Sequence, residues 1–329
     1  MHYLLPDYYE QFACTAERCR DNCCIGWEID IDDDTWERCL AAPEPWRARF
    51  IRQVYDEPGV RHFILQNGRC PFLNDENRCE IILHLGEEAL CDICDEHPRF
   101  TTEYPGWSET GLGLCCEEAA RLILSQKEPA GFVSLSSPGD DPAALPENLR
   151  QIIDRRWQLF ALLQHREYEL STRLKALLQS EEGGPLPDAA ELAALTSFLA
   201  GQDYLTPEWP EILRNLEDFF RLPAAEQAAL EARQRAEAPE TAVEYEQLAV
   251  YFLFRYYLSA LSDGDPAEKV RLSTAFVLLI QAAALAEGAR TGILPDFPRR
   301  LRLAQMFSKE VEYNDAALDG LKDILMLGL

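Results

Sequence analysis

Histidine and methionine are scarce in this 329-residue chain, five of the first and three of the second. With no His-x3-His pair, the histidines leave little material for a histidine-based metal site. Basic residues are in deficit too. Against 57 Asp and Glu stand 31 Lys and Arg, a net charge of −26, and the acidity is spread along the chain. That sign argues against binding nucleic acid or an anionic membrane through bulk charge. It suits a cationic partner such as a lysine-bearing protein, or is plain solvated surface. Long apolar runs are missing. The longest, residues 275–286, is interrupted by Gln281 and reads as a buried helix, not a membrane span. Residues 1–7 lack a basic region followed by an apolar run, so a soluble, cytoplasmic protein is expected. Two cofactor signatures are absent. Gly111-Leu112-Gly113 is only a G-x-G, and Cys19-x3-Cys23 is followed by Gly26 where a C-x3-C-x2-C loop needs its third cysteine.

Cysteine is what the chain has in excess, and in one place. Cys14, Cys19, Cys23, Cys24, Cys39, Cys70, Cys79, Cys91, Cys94, Cys115 and Cys116 all precede residue 117. An odd number without an export signal favours a thiolate metal site over a disulfide framework. Only Cys91-x2-Cys94 has zinc-knuckle spacing. Thiolates gathered from several segments suit an iron–sulfur cluster, which takes about four cysteine ligands. Eleven exceeds that need. Neighbouring side chains diverge, so Cys23/Cys24 and Cys115/Cys116 are each expected to divide into one ligand and one packed thiol. Cys39, near Trp36 and Leu40, reads as core. Cys115 is expected at a helix N-terminus, where the dipole favours a thiolate.

With 329 residues there is room for one large domain or two ordinary ones. The fold class expected is mainly α, a small irregular cysteine-rich module packed on an all-helical C-terminal domain. Residues 1–130 are the module, 131–146 a Pro- and Gly-containing linker, and 147–329 the helical domain. Within the module, alternation over residues 27–32 predicts a strand, and helices are predicted from Asp33, over residues 81–90, and over 115–125. Further helices are predicted over residues 147–179, 188–200, 209–221, 224–236, 241–262, 266–288, 297–310 and 315–327.

Two C-terminal patches stand out. Tyr251-Phe252-Leu253-Phe254-Arg255-Tyr256-Tyr257-Leu258 reads as helix core, but a buried Arg255 needs an acceptor: a carboxylate from another helix, or one on a ligand. In Phe307-Ser308-Lys309-Glu310-Val311-Glu312-Tyr313, the default for Glu310 and Glu312 is exposed surface.

These segments together resemble the flagellin lysine N-methylase family. The resemblance lies in Tyr8-Tyr9-Glu10-Gln11-Phe12-Ala13-Cys14, in Cys19 and Cys23-Cys24-Ile25-Gly26-Trp27, and in Cys70-Pro71-Phe72-Leu73-Asn74 with Cys79. It continues in Leu85-Gly86-Glu87-Glu88-Ala89-Leu90, Cys94, Pro98-Arg99, the stretch after Cys115, and the two C-terminal patches. His97, Cys116 and Tyr313 depart from the family pattern, and the module by itself also resembles wider zinc- or iron-chelating cysteine domains. The resemblance implies methyl transfer from S-adenosylmethionine to flagellin lysines and a [4Fe-4S] cluster. It matches Cys14, Cys19, Cys23, Cys24, Cys70, Cys79, Cys94 and Cys115 to the family's cysteines, leaving Cys39, Cys91 and Cys116 as extras. Under this reading Tyr256, Glu310 and Glu312 are candidates to accept the lysine proton, and Arg255 to pair with the donor's carboxylate. The alternative is a non-enzymatic iron- or zinc-binding module with a helical protein-docking domain.

Overall fold

A computed structural model of the protein describes residues 1–136 and 145–327. The chain opens on β1 (His2–Pro6), with His2, Leu4 and Pro6 on its buried face. The helix expected from Asp33 is α1 (Asp33–Ala41), begun by Asp32, whose carboxylate accepts the Thr35 backbone N–H at 2.7 Å. Helix α2 (Trp46–Gln53) leads into the hairpin β2 (Val54–Glu57) and β3 (Val60–Phe63). The strand expected over residues 27–32 does not form. Ile29 and Ile31 are buried as the alternation demands, but their pairing stops at Ile31 N to Arg61 O and Phe63 N to Ile29 O.

Helix α3 (Glu80–Leu85) ends at Gly86, whose φ of +91° breaks the longer helix expected through residue 90. The short α4 (Asp92–Glu96) stops ahead of Pro98, as a proline predicts. Then follow β4 (Arg99–Tyr104), β5 (Trp107–Leu112), α5 (Glu117–Leu124) and β6 (Phe132–Ser136). The sheet order is β4-β5-β1-β6, with β1 parallel to β5 and the outer pairs antiparallel. In that register Phe100 lies opposite Gly111. Part of the segment expected as a linker is therefore the edge strand β6, paired along all of β1. Residues 137–144 lie outside the described residues.

The helical half follows expectation closely: α6 (Glu147–Leu163), α7 (Leu170–Ser180), α8 (Ala189–Leu199), α9 (Trp209–Arg221), α10 (Ala224–Glu237), α11 (Thr241–Tyr256), α12 (Ala260–Asp263), α13 (Pro266–Thr291), α14 (Phe297–Phe307) and α15 (Asp315–Leu327). The helix expected over 147–179 is split, with no Gly or Pro to announce it. The break lets Arg166 join Arg173 on the fully buried Glu246 carboxylate, at 2.8 and 2.5 Å. Helix α13 has the length and mean hydropathy, 1.6, of a membrane span, but 78% of its most apolar window is buried in this fold, as a core helix requires.

Two apolar cores result. The larger joins β1, β5 and α5 to the helices, from Leu4 and Leu114 to Phe252, Phe276 and Leu321. The smaller holds Ile29, Ile31, Phe50, Phe63 and Phe72 together with Cys39, Cys70 and Cys91, and Cys24, Cys79 and Cys94 pack against it.

Candidate functional site

The last turn of α11 carries Tyr251 and Arg255 four residues apart, hence on one face. Opposite, α14 runs into one turn of π-helix, Ser308–Glu312. All five residues of that turn are buried, including both glutamates, so the surface expected for Glu310 and Glu312 is corrected. The wider turn sends the two carboxylates to different neighbours. Glu310 accepts the backbone N–H groups of Leu205 (2.8 Å) and Thr206 (2.7 Å) and so ties down the 205–206 loop. Glu312 meets α11. Its side chain is fully enclosed and accepts the Tyr256 hydroxyl at 2.8 Å and the Tyr251 hydroxyl at 3.2 Å. Arg255 Nε stands 3.1 Å from the same carboxylate. The acceptor Arg255 requires is thus a carboxylate from another segment of the chain.

Aromatic rings enclose this ion pair. The Arg255 guanidinium carbon lies 4.5 Å from the ring centre of Phe100, 5.1 Å from that of Tyr313 and 5.8 Å from that of Tyr256. These are cation–π distances. Tyr313 stands at the rim, 37% exposed, with its ring edge-on to Trp27. The G-x-G at the end of β5 has its reason here. A Cβ on Gly111 would sit 2.4 Å from the Phe100 ring, and one on Gly113 would sit 2.3 Å from the Tyr313 hydroxyl. The glycines make room for two cage walls and cradle no phosphate. The Leu114 N–H closing this stretch donates to the Tyr251 hydroxyl at 3.0 Å.

Protonation follows from enclosure. Burial and the Glu312 charge push the Tyr256 hydroxyl well above its ordinary pKa. Burial does the same to Tyr251, against the opposing pull of Arg255. Both phenols are held as hydrogen-bond donors. Cys115, bonded to Tyr313 and fully buried, is pushed up to about 12 by burial. Cys115 stands just outside the helix it was expected to open: α5 begins at Glu117, with Cys116 as its cap.

The cysteines fall into two groups. Cys24 and Cys94 are pushed up by hydrogen bonds from Cys23 and Cys91 and by burial, and Cys70 and Cys79 by burial, with charge repulsion from neighbouring thiols adding to each, while its hydrogen bond to Cys94 lowers Cys91. Cys91 therefore sits inside this group, although the family pattern leaves it as an extra. Cys19, Cys23, Cys115 and Cys116 form a second group towards the Arg255 site, and Cys14 is exposed. Cys23 and Cys24 hydrogen-bond to each other, so the two groups meet at this pair. Among the described residues no three His, Cys, Asp or Glu side chains converge as ligands of a single metal ion.

Asp21, in the loop between these cysteines, is clamped by the helical half. It binds Arg302 (2.5 Å), Lys309 (2.9 Å) and Gln305 (3.1 Å), and Gln305 also donates to the Cys115 carbonyl at 3.0 Å. Burial pushes Asp21 up, but Lys309 and Arg302 hold its carboxyl below the ordinary range. Lys309 belongs to the same π-turn as Glu312, so one turn grips both the cysteine loop and α11. Of the residues that sequence reasoning brought forward, the structure gathers Arg255, Tyr256 and Glu312 and turns Glu310 away to the 205–206 loop. That reasoning missed Tyr251, Phe100 and Asp21. The Gly111/Gly113 pair was the one visible trace of Phe100.

Residues 189–326 match the family described as the FliB lysine N-methylase C-terminal domain. That segment contains Tyr251, Arg255, Tyr256, Glu310 and Glu312, while the cysteines, Phe100 and both glycines lie outside it. The lysine-N-methylase of Salmonella typhimurium is 28% identical over 138 residues, which are 37% of this chain and 32% of that protein. The lysine-N-methylase of Salmonella choleraesuis matches to the same extent. The flagellar biosynthetic protein FliU of Salmonella muenchen is 26% identical over 130 residues, covering 37% of this chain and 77% of that protein. The match thus spans about a third of the two methylases. No solved structure matches. Over residues 189–326 the chain is thus similar to the C-terminal domain of FliB lysine N-methylases.

Proposed function

We propose that the protein methylates lysine side chains of flagellin, with S-adenosylmethionine as donor, at the site built around Glu312. The observation that carries this reading is a fully enclosed carboxylate beside aromatic faces, inside the segment that matches the methylase domain. A lysine ammonium must lose a proton before its nitrogen can attack. In this site Glu312 takes that proton. Tyr251 and Tyr256, kept protonated, orient the carboxylate by donating to it. The freed lone pair forms the N–CH3 bond as the methyl–sulfur bond breaks, and the sulfur leaves with the bonding pair. Glu310, committed to two backbone N–H groups, holds the 205–206 loop instead. The acidic surface draws a lysine-bearing substrate.

The buried thiols fit an iron–sulfur cluster by donor chemistry, being soft and gathered in one small core. Cys24, Cys70, Cys79 and Cys94, with Cys91 beside them, would hold it. Bound there, a [4Fe-4S] cluster would join the segments that make the smaller core.

Anaerobic purification with iron, sulfide and zinc analysis tests the cofactor. Transfer of labelled methyl from S-adenosylmethionine to flagellin tests the activity. About four irons with matching sulfide, and labelled lysine, are expected. Zinc without iron would favour the chelating-module alternative. Iron-replete protein that labels no flagellin would overturn the methylase reading.

A further inference from the structure

We propose that Arg255 occupies the seat of the substrate's lysine ammonium, an internal cation that fills the cage until an alkylammonium displaces it. The identity of the incoming cation rests on the methylase reading; the cage itself does not. Its walls are Phe100, Tyr256 and Tyr313, all within about 6 Å of one positive carbon, and its floor is the Glu312 carboxylate. Two glycines are spent on keeping those walls close. An arginine needed only to neutralise Glu312 would require no such enclosure.

Exchange is electrostatically permitted. A guanidinium and an ammonium both carry one positive charge and N–H donors, so swapping them leaves Glu312 compensated throughout. Loss of Arg255 without a replacement leaves a carboxylate enclosed without a counter-charge, which is strongly unfavourable. Access is at hand. The Arg255 side chain keeps 14% of its surface, and the rim residue Tyr313 is 37% exposed. A seat walled by aromatic faces also accepts N-methyl groups, so partly methylated lysine fits the same place.

The test is chemical rescue of Arg255→Ala in the full-length protein, read by thermal unfolding. The variant should unfold at lower temperature. Methylammonium should restore most of that shift, and should act on the wild type only at higher concentration, because there it must displace Arg255. Rescue by guanidinium alone would mean the seat takes only the planar group it already holds, and would overturn the proposal. Rescue by trimethylsulfonium in place of methylammonium would assign the cage to the methyl donor and overturn the lysine assignment. No rescue by any of them would overturn it as well. Should Arg255→Ala not fold, Arg255→Lys keeps the charge. Methylammonium should then shift the indole N–H resonance of Trp27, which packs on Tyr313. No shift refutes the seat. The wild-type methyl-transfer assay is independent of these measurements, so failure of the cage and failure of the methylase reading are told apart.

Discussion

Glu310 and Glu312 differ by two residues, and replacing each with glutamine separates their roles. In Glu312→Gln the charge facing Arg255 is removed while the shape is kept. Arg255 then remains largely enclosed, with no carboxylate at 3.1 Å to balance it. Removing one partner of a buried pair costs about 3–5 kcal/mol. Arg255 keeps a little exposure, so the lower end applies, and a fall in Tm of roughly 4–5 °C follows for a chain of this size. The site also loses its proton acceptor, and methyl transfer should drop by about 10²–10⁴-fold. In Glu310→Gln one oxygen still accepts, but an amide group now faces a backbone N–H of the 205–206 loop. The destabilisation is about 1–3 kcal/mol, while the transfer rate should stay within a few-fold. Both variants are measured by differential scanning calorimetry and by single-turnover transfer of labelled methyl. Glu312→Gln with an undiminished rate would refute the assignment of the proton acceptor. So would a rate loss confined to Glu310→Gln.

Three further outcomes follow from the same geometry. Gly111→Ala and Gly113→Ala should each lower stability by about 1–3 kcal/mol by forcing Phe100 or Tyr313 aside, and should slow transfer with the helical circular dichroism retained. Loss of that dichroism would instead mean a folding defect. Burial, with Lys309 adding to it, lowers the half-buried His97 to about 4. The unfolded chain therefore takes up this proton first, and the contribution present above about pH 6.5 is lost as pH falls through 4, at most about 3 kcal/mol. His97→Gln should flatten denaturant-measured stability over that window, and an unchanged slope would count against it. Asp21→Ala leaves Lys309 and Arg302 without their shared carboxylate, at about 2–4 kcal/mol, and should raise hydrogen exchange in residues 19–24 and 302–312 together. Faster exchange in only one of the two segments would show that the clamp does not couple them.

Much of this architecture is written in local pattern. The helical half is legible because amphipathic periodicity and Gly or Pro punctuation act within a few residues, as at Gly264-Asp265-Pro266 ahead of α13. The crowding of cysteines, the acidic charge and the odd placement of Arg255 among apolar residues are likewise visible without a fold. The π-turn is not, since its consequence is a direction: Glu310 and Glu312 look alike in sequence, and only the wider turn sends one to a loop and the other to α11. The split of α6 from α7 carries no Gly or Pro signal, and the contact it allows, Arg166 with Glu246, lies some eighty residues away. Cys91 and Cys115 were sorted by family pattern, and packing places Cys91 inside the thiol group and Cys115 against Tyr313. The sheet joined β1 to β5 across a hundred residues, and with it Phe100, Gly111 and Gly113 came to stand around Arg255. What the sequence by itself determined is composition, charge and helix periodicity, which depend on near neighbours. What only the tertiary structure decided is which distant side chains share one enclosed space, because desolvation and charge pairing act through space and not along the chain.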